Sequence, residues 1–220
     1  MFKVLNWHIK DQIGYLEINN PPSNPMDSSF FEEFYWWRNE VVEKEDIQAV
    51  IIHGKGRHFS SGAVLNDLLG IIERSHIEDG HTEKISKFLN KNSRIFYSLK
   101  DLRIPVIGAI RGVCLGSAFE LALCTDYIVC GEKAVLGLPE TTFGLIPGCT
   151  GTYILPNLIK KSLAIELILS GETFNPEEAL KWNLIHKIAP SKDVLNVAES
   201  IAKKISVNFI DDFKKFKKAK

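Results

Sequence analysis

The chain has 220 residues, 45% hydrophobic and 25% charged, with 27 basic and 27 acidic side chains that cancel to a formal net charge of zero. That balance suits a soluble globular protein with a sizeable core and offers no broad field for nucleic acid or an anionic surface. No apolar run approaches the roughly 20 residues of a membrane-spanning helix, so neither nucleic acid nor membrane is expected as a partner.

In chain order, Val4 to Ile18 reads as a hairpin turning at Lys10-Asp11-Gln12. Asn19 to Pro25 is dense in turn formers and reads as loop. Asp27 or Ser28 can cap a helix through about Val42, with Phe30, Phe31, Phe34 and Trp37 as a core stripe at helical spacing. Ala49 to His53 is an apolar strand. HFSSGAVL then reads as a strand end turning on Gly62 into a helix. Residues 73 to 83 are polar and read as an excursion, and Lys84 to Lys100 resumes helical periodicity.

Pro105 opens a buried strand, Val106 to Ile110, which leads into a glycine turn and the apolar helix of LGSAFELAL. A second strand follows within CTDYIVCGEKA, then the loop LGLPETTFGLIPG. Thr150 to Ile159 and Ser162 to Leu169 read as helices, and Asn175 caps another with Pro176 in its first turn. Leu184 to Ile188 reads as a short strand and Lys192 to Ile205 as the last helix. Strands alternating with helices imply an α/β architecture with right-handed crossovers.

Four cysteines, Cys114, Cys124, Cys130 and Cys149, fall at irregular spacings without a CxxC pair. They read as buried thiols of a reducing compartment, not as disulfides or a zinc site. The N-terminal residues enter strand-like alternation with no signal-peptide pattern. The cytoplasm is the expected location, and no metal is expected.

Two carboxylates stand in otherwise apolar surroundings, Glu120 in LGSAFELAL and Glu140 in LGLPETTFG. A buried carboxylate is costly unless it is hydrogen-bonded or neutralised. Glu120 could favour the helix dipole or pair with a buried arginine, and Glu140 could be a turn residue. The alternative is acid–base work by two carboxylates on one water. Gly116 permits an unusual backbone angle, and the helix start after it leaves N–H groups unpaired for a developing oxyanion. Ser60-Ser61-Gly62-Ala63 offers a second such turn. His53, His58 and His186 lie beside strands without metal-ligand spacing and read as structural, as does Asp126 at its turn.

The ordered series IPVIGAIRG, LGSAFE, CTDYIVCGEKA, LPE, GLIPG and SGETFNPEEALKWNLI, preceded by HFSSGAVL, resembles the crotonase family, also called the enoyl-CoA hydratase/isomerase family. The resemblance spans roughly residues 4 to 206. It implies a crotonase-like spiral of β-β-α units forming an acyl-CoA-binding domain over 1–206, with 207–220 as a short lysine-rich tail. It implies an oxyanion hole from the N–H groups of Ala63 and Ser117, with Glu120 and Glu140 as the water-handling pair. Ser61, Gly62, Val64, Gly116 and Gly148 would then line the thioester and its water.

The activity so implied is that of a hydro-lyase adding water across the 2,3 double bond of an enoyl-CoA thioester, with CoA as part of the substrate and no separate cofactor. A double-bond isomerase, another acyl-CoA or acyl-carrier reaction, and a non-catalytic acyl-CoA-binding protein are the alternatives. The family also implies a homotrimer or a dimer of trimers. Three departures stand out. Val64 occupies a position that is usually acidic, Ser117 one that is usually glycine, and the sequence ends in DDFKKFKKAK where relatives usually continue. That ending implies a shortened C-terminal helical region. The motifs leave open the acyl group and the pathway, whether fatty-acid degradation or a specialised one.

Overall fold

The computed structural model describes residues 2–64 and 81–218. Asp11 and Gln12 take left-handed φ values of 52° and 60°, closing a two-residue turn between strands β1 (Leu5–Lys10) and β2 (Ile13–Ile18). Helix α1 (Ser28–Trp36) starts where expected, because Asp27 accepts the Phe30 N–H at 2.9 Å. It runs on through a π turn at Trp37–Val41 and a 3-10 turn at Val42–Lys44.

Next come β3 (Ala49–Gly54), α2 (His81–Tyr97), β4 (Val106–Ile110), β5 (Val113–Leu115) and α3 (Ser117–Leu123). They are followed by β6 (Tyr127–Gly131), β7 (Val135–Gly137), α4 (Gly151–Leu158) and α5 (Lys161–Ser170). Strand β8 (Thr173–Phe174), α6 (Pro176–Lys181), β9 (Lys187–Ala189) and α7 (Val194–Lys218) complete the described chain.

One sheet has the order β1-β2-β3-β4-β6-β9, parallel throughout except for the first hairpin. A smaller sheet has the order β5-β7-β8. Successive turns of chain place one strand in the large sheet and the next in the small one, as β4 and β5 or β6 and β7 do. This is the expected spiral of β-β-α units.

Parallel strands buried on both faces read as continuous apolar runs, and β3 shows why. Val50 and Ile52 face the inter-sheet core, while Ala49 and Ile51 face the other side. The inter-sheet core takes the aromatic stripe of α1. Phe30, Phe34 and Trp37 are fully buried, and Phe96 of α2 meets Phe34 edge-on at 5.5 Å. Each such side chain contributes about 1.5–3 kcal/mol by leaving water. On the far face Val194, Ala198 and Ala202 recur at one helical spacing, so α7 lies closely on β3, β4 and β6.

Several expectations are corrected. Helix α2 begins at His81 within the expected polar excursion, because no glycine or proline interrupts His81 to Lys84. The rest of that excursion, and the helix expected after HFSSGAVL, lie outside the described residues. The last ladder strand begins at Lys187, not Leu184. Asn183 takes a φ of 61° and the Leu184 N–H folds back onto Ala179 O, so Leu184 and Ile185 are buried in a turn. Helix α7 continues past Ile205 to Lys218, since no glycine or proline stops it. Strands β5, β7 and β8 have no counterpart in the sequence pattern.

Candidate active site

The Ser60–Ala63 turn is built by its own side chains. Ser60, fully buried, accepts the Gly62 N–H on its Oγ at 3.1 Å. Met26 N–H donates to Gly62 O at 2.9 Å, and Val64 N–H to Met26 O at 3.4 Å. In this parallel bridge the Ala63 N–H points away from Met26, and among the described residues it donates to nothing.

Gly62 has a φ of 87°, and a Cβ there would strike Leu115 O and stand 3.4 Å from Ser117 N. Only glycine lets the first turn close on the second. That second turn is Gly116, at φ 55° and ψ −130°, anchored by its N–H on Gly137 O at 2.9 Å. It starts α3, whose first N–H, that of Ser117, has no acceptor among the described residues. The two N–H groups that the resemblance assigns to an oxyanion hole thus have no acceptor among the described residues and lie on adjoining turns. The Ser117 hydroxyl is turned onto Met26 Sδ at 3.5 Å, and both side chains are buried. Met26, unremarkable in sequence, therefore touches both turns.

Glu120 sits in the first turn of α3 at 1% exposure. Among the described residues no arginine is paired with it, and its carboxylate bonds the start of a second helix. Three successive N–H groups converge on Oε1, from Cys149 at 3.0 Å, Thr150 at 2.7 Å and Gly151 at 2.6 Å. The opposite oxygen, Oε2, receives only a longer bond of 3.3 Å from Cys149. Glu120 thereby caps the N-terminus of α4, where a negative charge is favoured.

Glu140 lies in the 3-10 turn Pro139–Phe143 that follows β7. Its Oε1 would be 3.0 Å from a Cβ on Gly116, and its Oε2 is buried with no hydrogen-bond partner among the described residues. Burial, then the negative Glu120 beside it, push its carboxyl up to about 7. Burial also raises Glu120, but its backbone donors pull the other way by binding the ionised form. Of the pair, Glu140 therefore holds a proton more readily. Gly148 immediately precedes the three donors, and its own N–H has no acceptor among the described residues. Ser61 is exposed, with its N–H on Ser23 O, and Val64 is half-buried.

His53, His58, His186 and Asp126 all face main-chain groups. His58 and His186 accept the N–H groups of Val113 and Ile128 through Nδ1, at 3.1 and 3.0 Å. Buried His53 lies with Nδ1 3.5 Å from Gly54 O. Burial lowers His53 and His186. Asp126 Oδ2 accepts the Val106 N–H at 2.8 Å. All four cysteines are free thiols. Among the described residues no cluster of three or more His, Cys, Asp or Glu could hold a metal ion, and no helix is long and apolar enough to cross a membrane.

Comparison with known proteins matches this arrangement to relatives. The family model described as "Enoyl-CoA hydratase/isomerase" matches residues 8–220. A probable mitochondrial enoyl-CoA hydratase of Dictyostelium discoideum is 33% identical over 198 residues, covering 90% of this chain and 68% of the relative. A probable enoyl-CoA hydratase of Bacillus subtilis is 32% identical over 195 residues, covering 88% and 72%. The crystal structure of an enoyl-CoA hydratase from Bacillus anthracis, 28% identical, superposes with a TM-score of 0.86 over 99% of this chain and 82% of its own. A Thermobifida fusca protein solved in complex with CoA, 23% identical, shares the fold at a TM-score of 0.85, over 98% of this chain and 83% of its own. The chain belongs to the enoyl-CoA hydratase/isomerase family.

Proposed function

We infer that this protein is an enoyl-CoA hydratase, a hydro-lyase that adds water across the 2,3 double bond of a 2-enoyl-CoA thioester. The observation that carries the reading is the meeting of buried Glu120 and half-buried Glu140, whose Oε2 is enclosed, beside two turns whose Ala63 and Ser117 N–H groups lack acceptors among the described residues.

The thioester oxygen accepts both N–H groups, which draws electron density from the conjugated double bond and leaves Cβ electrophilic. A water lies between the open Oε2 of Glu120 and the Glu140 carboxyl. Ionised Glu120 takes one proton from that water as its oxygen bonds to Cβ. The electron pair moves onto the thioester as an enolate, held by the two N–H groups, and neutral Glu140 gives its proton to Cα. A proton passing from Glu120 to Glu140 through the next water restores the pair. Each oxyanion donor accounts for on the order of 3 kcal/mol of transition-state stabilisation. Ser61, Gly62, Val64, Gly116 and Gly148 line this space, with half-buried Val64 making the acyl side more apolar.

CoA enters as part of the substrate, and no further cofactor takes part. The surface around α4 and α5 exposes Phe143, Ile146, Tyr153, Leu158, Ile165 and Leu169. A patch of this kind supports self-association, here a homotrimer or dimer of trimers. Free thiols, with Cys124 and Cys130 raised to about 12 by burial, support a reducing compartment, the cytoplasm. The test is to incubate pure protein with crotonyl-CoA and identify the product by mass. Gain of one water is expected. Unchanged crotonyl-CoA together with conversion of a 3-enoyl-CoA would replace the hydratase reading with an isomerase.

A further inference from the structure

Thr150 occupies the N-cap position of α4, yet its hydroxyl makes no bond to its own helix. A threonine there ordinarily accepts an N–H of the first turn. Here that task has passed to the Glu120 carboxylate, and the hydroxyl is used elsewhere. Thr150 Oγ1 donates to the main-chain carbonyl of Glu120 at 3.1 Å, while Thr150 N–H donates to Glu120 Oε1 at 2.7 Å. One residue thus grips both the backbone and the side chain of the glutamate.

The surroundings fix the direction of that hydroxyl. Cys124 Sγ donates to Thr150 Oγ1 at 3.6 Å, which leaves the threonine proton for Glu120 O. Burial holds the Cys124 thiol protonated, as a donor must be. The Glu120 carbonyl is available because the Cys124 N–H, one turn on, bonds Leu121 O instead. Thr150 is 1% exposed, so no water competes for its hydroxyl.

We propose that Thr150 is a positioning residue for Glu120, its hydroxyl locking α3 to the 149–151 loop so that three N–H groups stay on one carboxylate oxygen and the other faces the water. The proposal rests on Glu120 as the water-activating group. Without the hydroxyl tie, the loop and helix are free to shift, and the N–H bonds that favour the ionised carboxylate lengthen. Glu120 then protonates at higher pH.

The experiment compares the full-length protein with Thr150→Val and Thr150→Ser by carboxyl-carbon NMR titration of Glu120 and by crotonyl-CoA hydration. In Thr150→Val the titration midpoint is expected to rise by about one unit, and kcat to fall about tenfold with KM within about twofold. Thr150→Ser, which keeps the hydroxyl, is expected to restore both. A lower unfolding temperature with an unchanged midpoint and unchanged kcat would reduce Thr150 to a packing residue and overturn the proposal. If Thr150→Val does not fold, Thr150→Ala, which places no methyl against Glu120 O, is read in the same way. Absence of hydration by wild-type protein would instead sink the functional reading, and the titration alone would then decide the role of Thr150.

Discussion

The Glu140 carboxylate lies directly over Gly116, so that a Cβ on this residue would stand 3.0 Å from Glu140 Oε1. The turn proposed to hold the oxyanion and the carboxyl proposed to donate the proton thus meet across a position without a side chain. Gly116 also has a φ of 55°, which L-residues adopt at a cost of about 1–3 kcal/mol. Gly116→Ala is expected to lower stability by about that amount. It is also expected to cut kcat by on the order of a hundredfold by displacing Glu140. Thermal unfolding and steady-state kinetics on the same sample check both.

Glu140 makes stability depend on pH in a stated direction. Its carboxyl titrates at about 7 in the folded protein, against an ordinary value of 4.5. Between these values the native state keeps a proton that the unfolded chain has released, so stability falls as pH rises from 4.5 to 7. Glu140→Gln removes that loss. At pH 8 the variant is expected to be more stable than wild type by about 2 kcal/mol, allowing for partial exposure, and at pH 4.5 by little. Urea unfolding at the two pH values measures the difference.

Asn24 anchors the segment that leads into the Ser60–Ala63 turn. It is fully buried at a φ of 52°, and its Nδ2 donates to the carbonyls of Lys55, His58 and Phe59 at 2.8 to 3.3 Å. Its Oδ1 accepts the Asn20 N–H at 3.1 Å. Asn24→Ala leaves these groups without their partner and is expected to cost about 2–4 kcal/mol. A drop in kcat/KM should accompany it, because the His58–Ala63 segment loses its anchor.

The parts legible in the sequence are those with a signal of their own. Asp27 and Asn175 announce helix starts, and both cap as expected, Asn175 within a capping box with Glu178. The apolar runs of β3 and β4 show as strands, and Glu120 and Glu140 stand out against their neighbours. Strands β5, β7 and β8 have three, three and two residues, and their pairing is set by partners 22 to 38 positions away in sequence, beyond the reach of any local pattern. The donors to Glu120 are main-chain N–H groups, which every residue but proline carries, so no residue type marks them. Thr150 and Met26 are ordinary letters whose roles come from where the spiral places them.

The most direct test of the central claim follows the conjugated-thioester absorbance of crotonyl-CoA with wild type, Glu120→Gln and Glu140→Gln. Each glutamine keeps the shape of the site while removing one proton acceptor or donor. The account predicts loss of absorbance with wild type and a fall of at least about a thousandfold in each variant, with both variants still binding a saturated acyl-CoA. Hydration that survives either substitution at near wild-type rate would contradict it.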